Sequence, residues 1–159
     1  MILILLGTIK LEFVRPLKEI EKLCKKGIIK DHIIVQSGFT NYTSKYFEVI
    51  PFIKPQRLEE LIEQSTLVIT HAGTGSVLSA LKKNKKIIAV ARYFELNEHV
   101  DNHQLDLLNE FSKKGYIVPW YKEDNLLKIY HKIETFEPKQ YISKKQYILE
   151  YIQNYIKKI

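Results

Sequence analysis

The chain has 159 residues, 45% of them hydrophobic and 27% charged, which is enough for one well-cored domain and too little for two of ordinary size. Its formal net charge is +7, and its one cysteine, Cys24, excludes an intramolecular disulfide framework and fits a reducing, cytoplasmic compartment. No run approaches the roughly 20 apolar residues of a membrane span, so any membrane association is expected to be peripheral or through a partner.

Met1 to Leu6 is apolar, has no basic region before it and runs straight into Gly7, so it reads as a buried first strand rather than a signal peptide. Phe13, Leu17, Ile20, Leu23 and Cys24 then fall at helical spacing. Ile33 to Gln36 and Phe47 to Ile50 are strand-length and mostly β-branched, as are Leu67 to Thr70 and Ile87 to Ala91. Helical patterns separate them, on Leu58, Leu61 and Ile62, on Val77, Leu78 and Leu81, and on Leu105, Leu107, Leu108 and Phe111.

Glu134 to Lys139, with Pro138, is the expected linker. It divides the chain into residues 1–137 and a terminal segment, 138–159. In that segment Tyr147, Ile148, Tyr151, Ile152, Tyr155, Ile156 and Ile159 form one apolar stripe, which either packs back on the body or docks on a partner. Lys139, Lys144, Lys145, Lys157 and Lys158 face only Glu150 there, a bias that suits an anionic membrane surface or acidic partner but equally describes a solvated lysine-rich face. No basic stretch is interleaved with aromatics in a reader motif, so nucleic acid is not an expected partner.

Continuous apolar strands separated by helices predict a doubly wound α/β fold with a parallel sheet covered on both faces. Ligands bind such sheets beyond the carboxyl ends of the strands, which directs attention to four turns. The first, Gly7-Thr8, combines a residue that lets the backbone approach a ligand with a hydroxyl donor. The second is Gln36-Ser37-Gly38.

The third carries the strongest signal. The run LVIT passes through HAGTGS, His71 to Ser76, into the helical segment VLSAL. Gly73 and Gly75 relieve steric limits in the turn, and the first N–H groups of the following helix have no intrahelical acceptor. Those donors and the positive end of the helix dipole suit a phosphate, with Thr74 and Ser76 adding hydroxyls and His71 expected to donate from its ring. The competing reading makes Ser76 a plain N-cap and His71 a satisfied rim histidine. A dinucleotide fingerprint would need a third glycine where Leu78 stands, which disfavours a nicotinamide enzyme.

The fourth turn, Arg92 to Gln104, crowds together arginine, glutamates, asparagines, aspartate, histidines and glutamine, groups suited to a hydroxyl-rich ligand. His99 and His103 lie four apart, but Asp101 reads as the N-cap of the next helix, which sets His99 in the loop and His103 in the first turn. No metal site is expected.

Gly7-Thr8 with Phe13 and Arg15, Gln36 to Thr40 with Tyr42, His71 to Ser76, and Asn97 to Gln104, reading NEHVDNHQ, together resemble the carboxyl-terminal domain of family 28 glycosyltransferases. The resemblance is closest to small one-domain members of bacterial capsule and exopolysaccharide pathways, and extends to the small subunit of a two-part UDP-N-acetylglucosamine transferase of dolichol-linked oligosaccharide synthesis. It implies a Rossmann-like domain equivalent to the donor-binding half of a GT-B glycosyltransferase.

Carried over by that resemblance, His71, Gly73, Thr74, Gly75 and Ser76 meet the diphosphate of a UDP-sugar, and Asn102 and Gln104 meet the sugar. Gly7, Thr8 and Gln36 line the cleft facing a membrane-anchored partner subunit that supplies a polyprenyl-linked acceptor, at the inner face of the cytoplasmic membrane. Where relatives often have Leu-Glu, this chain has Leu78-Ser79, so a bidentate hold on the ribose is missing. The implied transfer is inverting. With no Asp-x-Asp sequence it is expected to need neither metal nor cofactor, and Glu98 and His99 are the candidate bases. A non-catalytic nucleotide-sugar-binding regulatory subunit is the alternative.

Overall fold

The computed structural model describes residues 1–143 and 145–157. In chain order the elements are β1 (Ile2–Leu5), α1 (Val14–Lys25), β2 (Ile33–Gln36), β3 (Glu48–Ile50), α2 (Pro55–Gln64), β4 (Leu67–His71), α3 (Thr74–Lys82), β5 (Lys86–Val90), α4 (His103–Lys113), β6 (Val118–Trp120), α5 (Leu126–Thr135) and α6 (Lys145–Ile156). A single 3-10 turn, Phe94–Leu96, interrupts the connection from β5 to α4.

All six strands are parallel, in the order β3-β2-β1-β4-β5-β6. The chain therefore moves outward from β1 in one direction and then, from β4, in the other. Leu5 is in register with Gln36 on one side and Thr70 on the other, so the crevice where the order reverses opens above the ends of β1 and β4.

Side chains alternate across the sheet and build two cores. Ile2 and Ile4 face one side, with Phe13, Leu17 and Ile20 of the α1 region and Trp120, Leu126 and Ile133. Leu3 and Leu5 face the other, with Leu61, Val77, Leu81 and Leu108 of α2, α3 and α4. Each such side chain withdrawn from water contributes about 1.5–3 kcal/mol, so the central strands, buried on both faces, anchor the turns at their ends.

Sequence reading located the first five strands to within a residue or two but missed β6 and α5. Val118-Pro119-Trp120 is short and carries a proline, which argues against an internal strand; it is tolerated because β6 is the sheet edge, paired only with β5. The α5 signal was present: the Asn125 side chain accepts from the Leu127 N–H at 2.9 Å, and Leu126, Ile129, Tyr130 and Ile133 share one face.

The segment after α5 stays attached at first. The Lys139 N–H donates to the Gly115 carbonyl at 2.9 Å, and Tyr141 packs edge-on against Tyr116 with ring centroids 5.8 Å apart. Along α6 no side chain is buried, and Tyr147, Tyr151, Tyr155 and Ile156 are all more than 60% exposed. Lys144, Lys158 and Ile159 lie outside the described residues.

Candidate functional site

The first and third turns meet at the switch point through one side chain. His71, the last residue of β4, directs Nδ1 at the Leu5 carbonyl of β1, 3.2 Å away. A carbonyl oxygen only accepts, so Nδ1 carries the hydrogen and Nε2 presents a lone pair. Burial pushes the imidazole down to about 4, with Arg92 and His99 adding like-charge repulsion, so the ring is neutral at pH 7. This corrects the expectation that the resting ring donates toward a ligand: its N–H is already spent on Leu5.

The ring explains two glycines. A Cβ on Gly7, whose φ is +80°, would lie 2.8 Å from Nε2, and one on Gly73 would enter the ring itself. Nε2 therefore sits where the two turns converge.

The helix beyond begins earlier than expected. Gly73 is the N-cap of α3 and Thr74 its first residue, so Ser76 lies inside the first turn and is not the cap. The Val77 N–H closes on the Gly73 carbonyl at 3.1 Å, which leaves the N–H groups of Thr74, Gly75 and Ser76 as the unbonded start of the helix. Thr74 and Gly75 are exposed, and a Cβ at Gly75 would meet nothing within 4 Å, so these donors face open space. Three converging N–H groups at the positive end of a nine-residue helix can hold an anion.

In the second turn the Gln36 Oε1 accepts the Ile53 N–H at 3.1 Å, tying β2 to the segment before α2. Gly38, with φ +60°, has no room for a Cβ because the Gly7 carbonyl lies against it. Gln36 is thus buried and braces the floor under Gly7, while Thr8 is exposed beside it.

The fourth turn is folded by its own polar groups. Glu98, only 6% exposed, receives Arg15 Nε and Nη2 on its two oxygens, each at 2.9 Å, and its Oε2 also accepts the Tyr93 N–H at 3.1 Å. The Arg15 guanidinium lies over the Tyr93 ring at 5.2 Å. Removing one partner of so buried a pair costs about 3–5 kcal/mol, which marks Glu98 as an organiser of the loop whose two oxygens are already engaged.

Asn102 Oδ1 accepts from the Phe94 N–H at 3.0 Å and Gln104 Oε1 from the Arg92 N–H at 3.1 Å. The carbonyl ends of both amides face the loop; the Asn102 amide also donates toward the Glu95 carboxylate, and each amide nitrogen keeps a hydrogen to donate. Asp101 caps α4 by accepting the His103 N–H at 2.9 Å, although Asn102 holds the N-cap position. His99 Nδ1 lies 3.0 Å from the Asp101 Oδ1 and 3.2 Å from the Asp101 backbone nitrogen. Among the described residues no three His, Cys, Asp or Glu side chains are grouped to hold a metal ion.

The structure also gives a role to two arginines that the sequence singles out without assigning one. Arg92 links the first and fourth turns through backbone carbonyls, and Arg15 secures Glu98 from α1. Arg15 reaches groups 76 and 83 residues away, and Arg92 joins carbonyls 81 and 86 residues away to that of Glu98 in its own turn.

A parallel sheet with this strand order, a glycine-bearing helix start at its switch point and a polar loop beside it define a Rossmann-like domain. The whole chain, residues 1–159, matches the model of the glycosyltransferase family 28 C-terminal domain, and the protein belongs to that family. It is 31% identical over 81 residues to the UDP-N-acetylglucosamine transferase subunit ALG13 of Candida albicans, covering 51% of this chain and 26% of the relative. To the subunit of the same name in Candida glabrata it is 30% identical over 104 residues, covering 65% of this chain and 49% of the relative. The matched stretches thus span about a quarter to a half of these curated relatives. A solution NMR structure of ALG13 shares the fold, with TM-score 0.56 and 19% identity over 95% of this chain and 93% of that one.

Proposed function

We propose that the protein binds a UDP-sugar and, with a membrane-anchored partner subunit, transfers the sugar to a polyprenyl-linked acceptor in capsule or exopolysaccharide synthesis, at the inner face of the cytoplasmic membrane. The observation that carries this reading is the open trio of Thr74, Gly75 and Ser76 N–H groups at the sheet's switch point, beside His71. Membership of the glycosyltransferase family and likeness to UDP-N-acetylglucosamine transferase subunits support UDP-N-acetylglucosamine as the first donor to try.

In this reading the diphosphate docks on the start of α3. Negative charge grows on the leaving UDP as the anomeric bond breaks, so donors fixed in advance stabilise the transition state more than the ground state. Helix N–H groups do the work of a metal, and the transfer is metal-independent. Asn102 and Gln104 offer amide donors to sugar hydroxyls. Ser79, exposed on α3, provides at most one hydrogen bond toward the ribose.

The reaction inverts the anomeric centre, which requires a base near the acceptor hydroxyl. Of the two candidates, Glu98 already binds Arg15 through both oxygens, whereas His99 is engaged only through Nδ1; His99 or a group on the partner takes that role.

Coexpressing the chain with the product of its neighbouring gene in membranes, and screening radiolabelled UDP-sugars for transfer to lipid, tests the reading. Transfer from a UDP-sugar that requires both proteins is expected. Measurable UDP binding without transfer from any donor would instead make the chain a regulatory nucleotide-sugar subunit.

A further inference from the structure

Arg92 is 1% exposed, just beyond β5. Its Nη1 donates to the carbonyls of Leu11 and Glu98, both at 2.9 Å, and its Nη2 to that of Leu6 at 2.8 Å. The guanidinium lies 4.5 Å from the centroid of the Phe13 ring. One side chain therefore holds the end of β1, the segment after Gly7-Thr8 and the fourth turn together.

Its charge has no partner of its own. The nearby Glu98 carboxylate is engaged by Arg15, no carboxylate among the described residues forms an ion pair with Arg92, and its Nε is buried without an acceptor. Burying a cation this way is costly, and although the guanidinium serves three carbonyls where a neutral amide with two N–H groups would serve two, hydrogen bonds to carbonyls do not neutralise its charge. The clip explains the hydrogen bonds but not the charge. Burial lowers the guanidinium to about 10, while Glu98 opposes the shift, so it stays a cation at neutral pH. The ionisable groups around it are His71 from β4, Arg15 from α1, and Glu98 and His99 from its own turn.

Resting on the donor-site reading above, we propose that Arg92 is a positioning residue whose buried positive charge is answered by the donor's diphosphate. It fixes the first and fourth turns around the start of α3 and gives that site a standing preference for an anion. It does so without touching the substrate, because Nη1 and Nη2 are turned to backbone carbonyls and Nε is buried. The same charge adds to the burial that keeps the His71 ring neutral in the empty site.

The test uses the full chain with Arg92→Lys and Arg92→Gln. Both lose the planar fork, but only the first keeps the charge. UDP-N-acetylglucosamine is titrated by NMR, and the His71 ring is followed against pH. Arg92→Gln should weaken binding about tenfold, with Arg92→Lys within about threefold of the unaltered chain, the scale of one partly screened charge. His71 should titrate at higher pH in Arg92→Gln and not in Arg92→Lys.

Equal losses in both variants with an unmoved His71 titration would reduce Arg92 to a clip and overturn the proposal, as would unaltered affinity in Arg92→Gln. In the unaltered chain, which avoids any folding defect of the variants, the Arg92 Nε resonance should shift on adding the ligand while that of Arg57, an exposed residue on α2, should not. An unmoved Arg92 signal in a chain that binds would overturn the proposal alone. Failure of the unaltered chain to bind would overturn the donor-site reading, and the proposal with it.

Discussion

The His71 ring donates its Nδ1 hydrogen to the Leu5 carbonyl, 3.2 Å away, across the seam between the two strands where the sheet reverses direction. That bond fixes the tautomer and leaves an Nε2 lone pair at the convergence of Gly7 and Gly73. A diphosphate oxygen also offers only lone pairs, so the two come into contact only once the ring has gained a proton. Binding of UDP-N-acetylglucosamine, which has no titrating group of its own near neutrality, should therefore take up as much as one proton per molecule bound and weaken as pH rises. Calorimetry in buffers of different ionisation heat measures the uptake. Uptake that is absent, or unchanged in His71→Asn, would show that the ring meets a hydroxyl and not the phosphate.

The same ring links stability to pH. An unfolded histidine titrates near 6.5, whereas burial holds His71 at about 4, so between those values the unfolded chain binds a proton that the folded one refuses. The stabilisation is complete above pH 6.5 and declines as pH falls toward 4, by roughly 3 kcal/mol over the window. In His71→Asn an amide can replace the donor to Leu5 without titrating. Urea unfolding across pH 4 to 6.5 should show a shallower slope for the variant; equal slopes would contradict the assignment.

Gly75→Val separates ligand contact from folding. Its Cβ meets no protein atom and its backbone is helical, so melting should change little while the added methyls stand before the helix N–H groups. Affinity for UDP should fall at least tenfold. Ser76→Ala, which removes one hydroxyl, should cost about 1–3 kcal/mol of binding. Unchanged affinity in both would remove the diphosphate from this turn.

The terminal helix predicts a different phenotype. No described side chain of α6 is buried, and its tyrosines and isoleucines accompany Lys145 and Lys157. Such a stripe suits a partner protein, with lysines assisted by anionic lipid. Deleting residues 143–159 should abolish copurification with the partner and leave UDP binding intact. Intact copurification would reject that role.

Much of the fold was legible because the buried strands announce themselves. Ile2 to Leu5, Leu67 to Thr70 and Ile87 to Val90 are continuous apolar runs, and HAGTGS marks the helix start by composition. β6 was hidden because three residues around a proline look like a loop until an edge of the sheet is there to receive them. The fourth turn was less legible. Glu98 reads as a candidate base in isolation, but its carboxylate belongs to Arg15, 83 residues away, and Arg92 serves carbonyls of Leu6 and Leu11. Local sequence shows which polar groups a loop owns, whereas long-range partners decide which remain free. His71 illustrates the same point, since only the neighbouring strand reveals that its N–H is occupied.

The most direct test of the donor site is a backbone amide NMR titration of the full chain with UDP-N-acetylglucosamine. The largest shifts should fall on the N–H groups of Thr74, Gly75 and Ser76, accompanied by Gly7 and Gly73. Binding that leaves the Thr74 to Ser76 amides unmoved, or no binding at millimolar ligand, would contradict the account.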